Sequence, residues 1–333
     1  MQILGEFFSF ILQWYVWMPT VAVLGFLTWR NNRKVAERDH NFEADLLILE
    51  IPKTNDKQEL AAEQMFASLH GILRDAEELK ASNGMQEHLS FEFASVNGQI
   101  RFYVWVPKSL RSFVEGQIYS QYPSVQIRDA DEDYTTHERD HSVIHTADIV
   151  LTENEALPIK TFTNFEVDPL AGITGTLAKL ESTGDEMWVQ IIVRPIIDDW
   201  HKTTEKWVSG VRNGKVSTTT KYIGWLPQVF EALWRPPEGG EKITEKTELS
   251  DRDKTRISEA EKKATKLGYQ VKIRAAYLGH DQITARQQMQ AIMGTFKQYN
   301  STNLNGFKAS NQSFEKEDLI PYRKRTFGTG GFV

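Results

Sequence analysis

Residues 7–28 contain no charged side chain, and an apolar run of that length admits few folds. A helix through Phe7, Phe8, Ile11, Leu12, Val21, Val23 and Leu24 is long enough to cross a hydrocarbon core of ~30 Å. Pro19 and Gly25 are tolerable there because a helix in lipid satisfies its own backbone. A signal peptide fits less well, since Met1–Glu6 carries no Lys or Arg and no small-residue cleavage site precedes Trp29. Trp29 suits an interfacial anchor, and Arg30, Arg33, Lys34 and Arg38 follow at once. The positive-inside rule then predicts a single pass through the cytoplasmic membrane, with the amino terminus outside and the body in the cytoplasm. The inner membrane is thus the first expected partner.

Beyond the anchor, roughly 300 residues are enough for two domains with their own cores. Charged residues make up 25% and hydrophobic ones 40%, an ordinary globular balance. A net charge of −6 argues against general affinity for nucleic acid phosphate, and no direct sequence-specific nucleic acid binding is expected. The chain has no cysteine, which excludes disulfides, Cys-ligated zinc, iron–sulfur clusters and thiol nucleophiles.

Taken in order, residues 1–29 are the anchor and 30–44 a polar tether. Residues 45–129 read as strand–helix–strand–strand–helix–strand. Leu46–Leu49 form the first strand, and Ala62, Met65, Phe66, Leu69, Ile72, Leu73 and Ala76 make one apolar stripe on a helix from about Lys57 to Lys80. Leu89, Phe91 and Phe93 alternate before Asn97-Gly98, and Ile100, Phe102, Val104 and Val106 alternate after it, the pattern of a tight hairpin. A second helix carries Leu110, Phe113, Val114 and Ile118, and Val125 and Ile127 close the unit. This order is ferredoxin-like.

Residues 130–147 read as an acidic connector. The same order recurs over 148–310, with Ile159–Phe162 strand-like, Asp168-Pro169 opening a helix, and an insertion at 198–268 between the two middle strands. The fold class expected is α+β: a transmembrane helix followed by two ferredoxin-like units, the second with a large helical insertion. Residues 311–333 read as a linker, because Phe332-Val333 begins an apolar run, so a further domain past Val333 is expected.

His137-Glu138-Arg139-Asp140-His141 matches the helical zinc-protease pattern, and His145 extends its spacing. So few apolar residues surround it that a solvated loop is the preferred reading, with the protease as the alternative; no metal and no cofactor are expected. Gly210–Val216 resembles a phosphate loop but has three residues between its glycines and Val216 where a hydroxyl must meet Mg²⁺, so it reads as a turn. Asp131-Glu132-Asp133 and Asp198-Asp199 read as solvated carboxylates. Arg194 and Arg274 interrupt apolar strands and read as outward-facing positions or as salt bridges to a partner. Trp200, Trp207, Tyr222, Trp225, Phe230 and Trp234 interleave with Lys202, Lys206, Arg212, Lys215 and Lys221. That mixture suits a membrane interface, a partner groove or a stacking platform for nucleic acid, or else the rings cap their own domain.

Several stretches together resemble the amino-terminal, membrane-proximal region of conjugation and type IV secretion ATPases of the FtsK/HerA type. They are Tyr122-Pro123 before Val125-Gln126-Ile127, Asp131-Glu132-Asp133-Tyr134, Pro158–Phe162 leading to Asp168-Pro169-Leu170, and Val271-Lys272-Ile273-Arg274. The resemblance implies a non-catalytic region that tethers a motor and helps assemble it, with self-association and a secretion-system or ATPase partner. It supplies no catalytic residue, because the motor domain with its phosphate loop is absent from this chain. A free-standing scaffold is the remaining expectation.

Overall fold

In the computed structural model, the described residues are 18–29, 43–52, 59–82, 84–136, 141–166, 168–180, 184–197, 200–213 and 249–328. The period-two alternation builds eight strands: β1 (Ala44–Glu50), β2 (Leu89–Val96), β3 (Gln99–Pro107), β4 (Gln126–Asp129), β5 (Val143–Leu151), β6 (Glu186–Pro195), β7 (Tyr269–Gly279) and β8 (Phe307–Ser313). They form one antiparallel sheet in the order β4-β1-β3-β2-β6-β7-β5-β8. Read outward from the middle, each half repeats the ferredoxin-like order. The halves join through β2 and β6, with Phe91 opposite Ile191 and Phe93 opposite Val189. They therefore share a sheet instead of standing as separate domains.

The helices described are α1 (residues 18–29), α2 (Glu59–Leu69), α3 (Ala76–Ala81), α4 (Arg111–Gln121), α5 (Leu170–Ala178), α6 (Trp200–Arg212), α7 (Asp251–Lys263), α8 (Gln282–Phe296) and α9 (Ile320–Lys324). Odd-numbered residues of β2, β6 and β7, such as Phe91, Val189 and Ala275, point to one face. On it α2 and α4 bury Met65, Leu69, Val114 and Ile118 against Leu47 and Val104. On the same face α5 and α8 bury Ile173, Leu177, Met289 and Ile292 against Ile149 and Val189. Ile191 and Val271 touch both clusters, so the apolar layer runs continuously across the junction. The opposite face, which α2, α4, α5 and α8 leave uncovered, is covered at its centre by residues 130–136 and by the carboxyl-terminal segment with Leu319 and, on α9, Tyr322.

Asn97 and Gly98 have φ of 52° and 69°, the two positive values that a tight hairpin turn requires. The helix expected over 57–80 is broken. After α2 the chain passes through a short 3-10 turn, and Asp75 and Glu78 form a capping box that starts α3 afresh. Residues 159–162 form no strand; a 3-10 turn covers Phe162–Asn164. The connector ends early, since β5 begins at Val143.

The membrane anchor needs correction. Among the described residues no helix is long and apolar enough to cross a membrane. The described part of helix α1, residues 18–29, holds Val21, Val23, Leu24 and Trp29. Phe7, Phe8, Ile11, Leu12, Arg30, Arg33 and Lys34 lie outside the described residues. A transmembrane helix in the fold, and with it a single-pass location, is not supported.

Candidate functional site

One rung of the sheet carries an unusual row. On the face opposite α2, α4, α5 and α8, Glu92 of β2 stands opposite Gln190 of β6, which stands opposite Arg274 of β7, which stands opposite Asp148 of β5. The row thus crosses the junction between the halves. Glu92, Gln190 and Arg274 are all at most 2% exposed. What buries them is the carboxyl-terminal segment, whose Arg325 is itself wholly enclosed.

Arg325 adopts φ 47° in the left-handed region just after α9, a conformation that costs a non-glycine residue roughly 1–2 kcal/mol. The bend turns its guanidinium down onto the sheet. Nε and Nη2 donate to the two carboxylate oxygens of Glu92, each at 3.1 Å. Nη1 and Nη2 grip Asp133 from the connector, and Nη1 also donates to the Arg323 carbonyl at 3.0 Å. Such two-pronged pairing matches the planar fork of arginine. Glu92 further accepts from Ser90 Oγ and from Tyr134 Oη, both at 2.7 Å.

The network continues into the second half. Gln190 Nε2 donates to Tyr134 Oη at 3.2 Å and to the Tyr322 carbonyl at 3.1 Å, while its Oε1 accepts from Arg274 Nε at 2.8 Å. Arg274 Nη1 and Nη2 donate to the carbonyls of Thr326 and Pro321 at 3.2 and 2.6 Å, and its guanidinium lies over the Tyr322 ring. Both guanidiniums and the Glu92 carboxylate are enclosed, and Asp133 closes the edge of the group with its carboxylate partly exposed. Burial alone would weaken the charge on Arg325, but Glu92, Tyr134 and Asp133 hold its pKa well above the ordinary value. Burial would raise Asp133, yet the bonds and charge of Arg325 keep it below the usual carboxylate range. Arg274, with only neutral hydrogen-bond partners, is pushed down by burial.

His88 seals one side. Its ring stacks on Trp105 at 5.1 Å, and Nε2 donates to the Arg325 carbonyl at 2.8 Å. Burial pushes its pKa down to about 3; the bond to Arg325 opposes that shift, and Arg194 and Arg274 add to it. The folded value lies below the unfolded one of about 6.5, so the unfolded chain takes up the proton first. The stability is therefore full above about pH 6.5 and falls as pH drops from there towards 3, by about 1.4 kcal/mol per pH unit. His88→Gln keeps a donor for Arg325 and removes the titration. Urea unfolding at pH 7.5 and 5.0 should show the wild type losing about 2 kcal/mol more than this variant over that interval.

These groups hold charge and geometry; each of the four charged side chains has fixed partners inside the fold. Sequence reasoning treated Asp133 as a solvated carboxylate and Arg274 as outward- or partner-facing, and it overlooked Glu92, Gln190 and Arg325. The available signal was that polar residues occupy the same face at the centre of three long strands. Arg194 also turns inward, with its guanidinium over Phe327 at 4.2 Å and Nη2 donating to Gln270 at 2.6 Å.

Trp207 packs with Val208, Val211, Ile257 and Ala260 in a small core between α6 and α7, and the Trp200 ring lies against Gly268, where a Cβ would collide with it. Both rings thus serve packing within the insertion. Tyr222, Trp225, Phe230 and Trp234 lie outside the described residues, as does His137. His141 precedes β5 and reaches the Gly184 carbonyl at 3.5 Å, while His145 lies within β5. Four residues of near-extended chain separate these rings by roughly 13 Å, so they do not share a helical face. Among the described residues no group of three or more His, Asp or Glu could hold a metal. The segment expected as a linker is, from Lys316 through Gly328, part of the folded body.

A family model described as a domain of unknown function, DUF8128, matches residues 31–328. The chain belongs to this family. The DUF8128 span contains the whole network from His88 to Arg325. No curated protein matches. A heme-binding protein from Thermus thermophilus aligns at 8% identity over 86% of this chain and 98% of its own, with a TM-score of 0.20, a likeness that carries no argument.

Proposed function

We propose that this chain is a rigid, non-catalytic assembly module of a secretion or DNA-transfer ATPase system. The observation that carries the reading is the buried row Glu92–Gln190–Arg274 locked by Arg325, which ties both halves and the carboxyl-terminal segment into one plate. Rigidity of that kind serves a part that must transmit position between partners. Among the described residues no strand pairs with the outer side of β4 or β8, so both edges offer backbone groups for sheet extension by a partner or a second copy. The link to a motor of the FtsK/HerA type rests on the stretches that resemble such proteins.

Photo-crosslinking in the native cell from Gln126 on β4 and Gln312 beside the end of β8 tests it. An ATPase with a phosphate-binding loop, or a second copy of this chain together with that ATPase, is the expected product. Crosslinks that never include such an ATPase would overturn the motor assignment.

A further inference from the structure

Helix α8 lies over β5 and β7 but does not fully cover the edge strand β8, and a cleft of about 720 Å³ opens between them. That is the size of small-molecule sites, which run roughly 300–1,000 Å³. Met289 and Met293 on α8 and Phe314 after β8 give it apolar wall area, with the amides of Gln290 and Gln312 beside them. At the wall sits His145, 3% exposed and stacked on Phe314 at 4.2 Å. Its Nδ1 lies 3.3 Å from the Ala285 carbonyl, which can only accept, so Nδ1 carries the proton. That leaves Nε2 as a lone-pair acceptor, buried and without a hydrogen-bond partner. A buried polar atom left unpaired costs roughly 1–3 kcal/mol, a penalty that a donor brought in by a ligand would relieve. Arg286, Lys297 and Lys308, all exposed, stand at the cleft, and no carboxylate lines it.

We propose that this cleft binds an amphipathic hydroxy acid: an apolar body on Met289, Met293 and Phe314, an acid group among the three cations, and a hydroxyl that donates to His145 Nε2. Each part answers one feature of the site. The apolar lining selects the body, the unopposed positive charge selects the anion, and the orphaned acceptor selects a donor over a plain hydrocarbon. The inference goes beyond the assembly reading and does not depend on it.

Calorimetric titration of the full chain with 12-hydroxydodecanoate, dodecanoate and dodecanol, all below their micellar range, tests it. The hydroxy acid should bind about 10-fold more tightly than dodecanoate, and dodecanol should bind most weakly. Lys308→Glu, an exposed change that leaves the core intact, should weaken both acids about 10-fold. His145→Phe should abolish the preference for the hydroxyl while dodecanoate still binds. Absence of binding by either acid, equal binding of all three probes, or indifference to Lys308→Glu would each overturn the proposal.

Discussion

Replacing Arg325 with methionine should lower the unfolding free energy by about 3–5 kcal/mol, the range for removing one partner from a buried ionic pair. The side chain is wholly buried and pairs with Glu92 and Asp133, so its loss strands the buried Glu92 carboxylate and leaves the partly exposed Asp133 without its counterion. Uncompensated buried carboxylates take up protons readily. The destabilisation measured by urea unfolding should therefore shrink between about pH 8 and about pH 5. Adding Glu92→Gln and Asp133→Asn to Arg325→Met should recover much of the loss, because neutral partners leave no charge stranded. A single variant that unfolds like the wild type at pH 8 would show that the cluster contributes no net stability.

A larger effect is expected from ending the chain after Ser313. Leu319, Tyr322, Arg325 and Phe327, each at most 4% exposed, leave with the segment. At roughly 1.5–3 kcal/mol for each of the three apolar and aromatic side chains, burial alone contributes about 5–9 kcal/mol. With the ionic contribution added, that rivals the whole stability of an ordinary domain, about 5–15 kcal/mol. The shortened chain should lose its cooperative thermal transition and bind a dye specific for exposed apolar surface. Retention of a sharp transition within a few degrees of the parent would mean that the sheet stands without its cover.

Much of the sheet was legible from alternation alone. Leu89, Phe91 and Phe93, or Val189, Ile191 and Val193, declare a buried face every second residue, and Asn97-Gly98 declares the turn between β2 and β3. Local signals of that kind carry strand and hairpin positions. They do not carry what covers the second face. Glu92, Gln190 and Arg274 look solvent-facing until a segment more than forty residues away along the chain closes over them, and no local pattern announces Arg325 as their counterion. The histidine spacing, preferred as a solvated loop with a helical zinc site as the alternative, ends in a strand for a related reason: the run Val143–Leu151 carries a strand pattern and pairs with β7 from Val143 onward. The apolar stretch at the amino terminus is corrected on a different ground: among the described residues no helix is long and apolar enough to cross a membrane.

The pairing of β2 with β6 has a geometric consequence for anything built on this plate. Two units that could have met as separate chains are covalently one, so their junction cannot dissociate on dilution, and only the outer strands remain for growth. Seven strand-to-strand steps separate β4 from β8. At roughly 20–25° of twist per step, the two ends are rotated by roughly 140–175° relative to each other. Because all seven pairings are antiparallel, the odd number of reversals and this near half-turn together leave β4 and β8 running in nearly the same direction. Successive additions would climb as a screw, and a closed ring would have to unwind that rotation at its contacts.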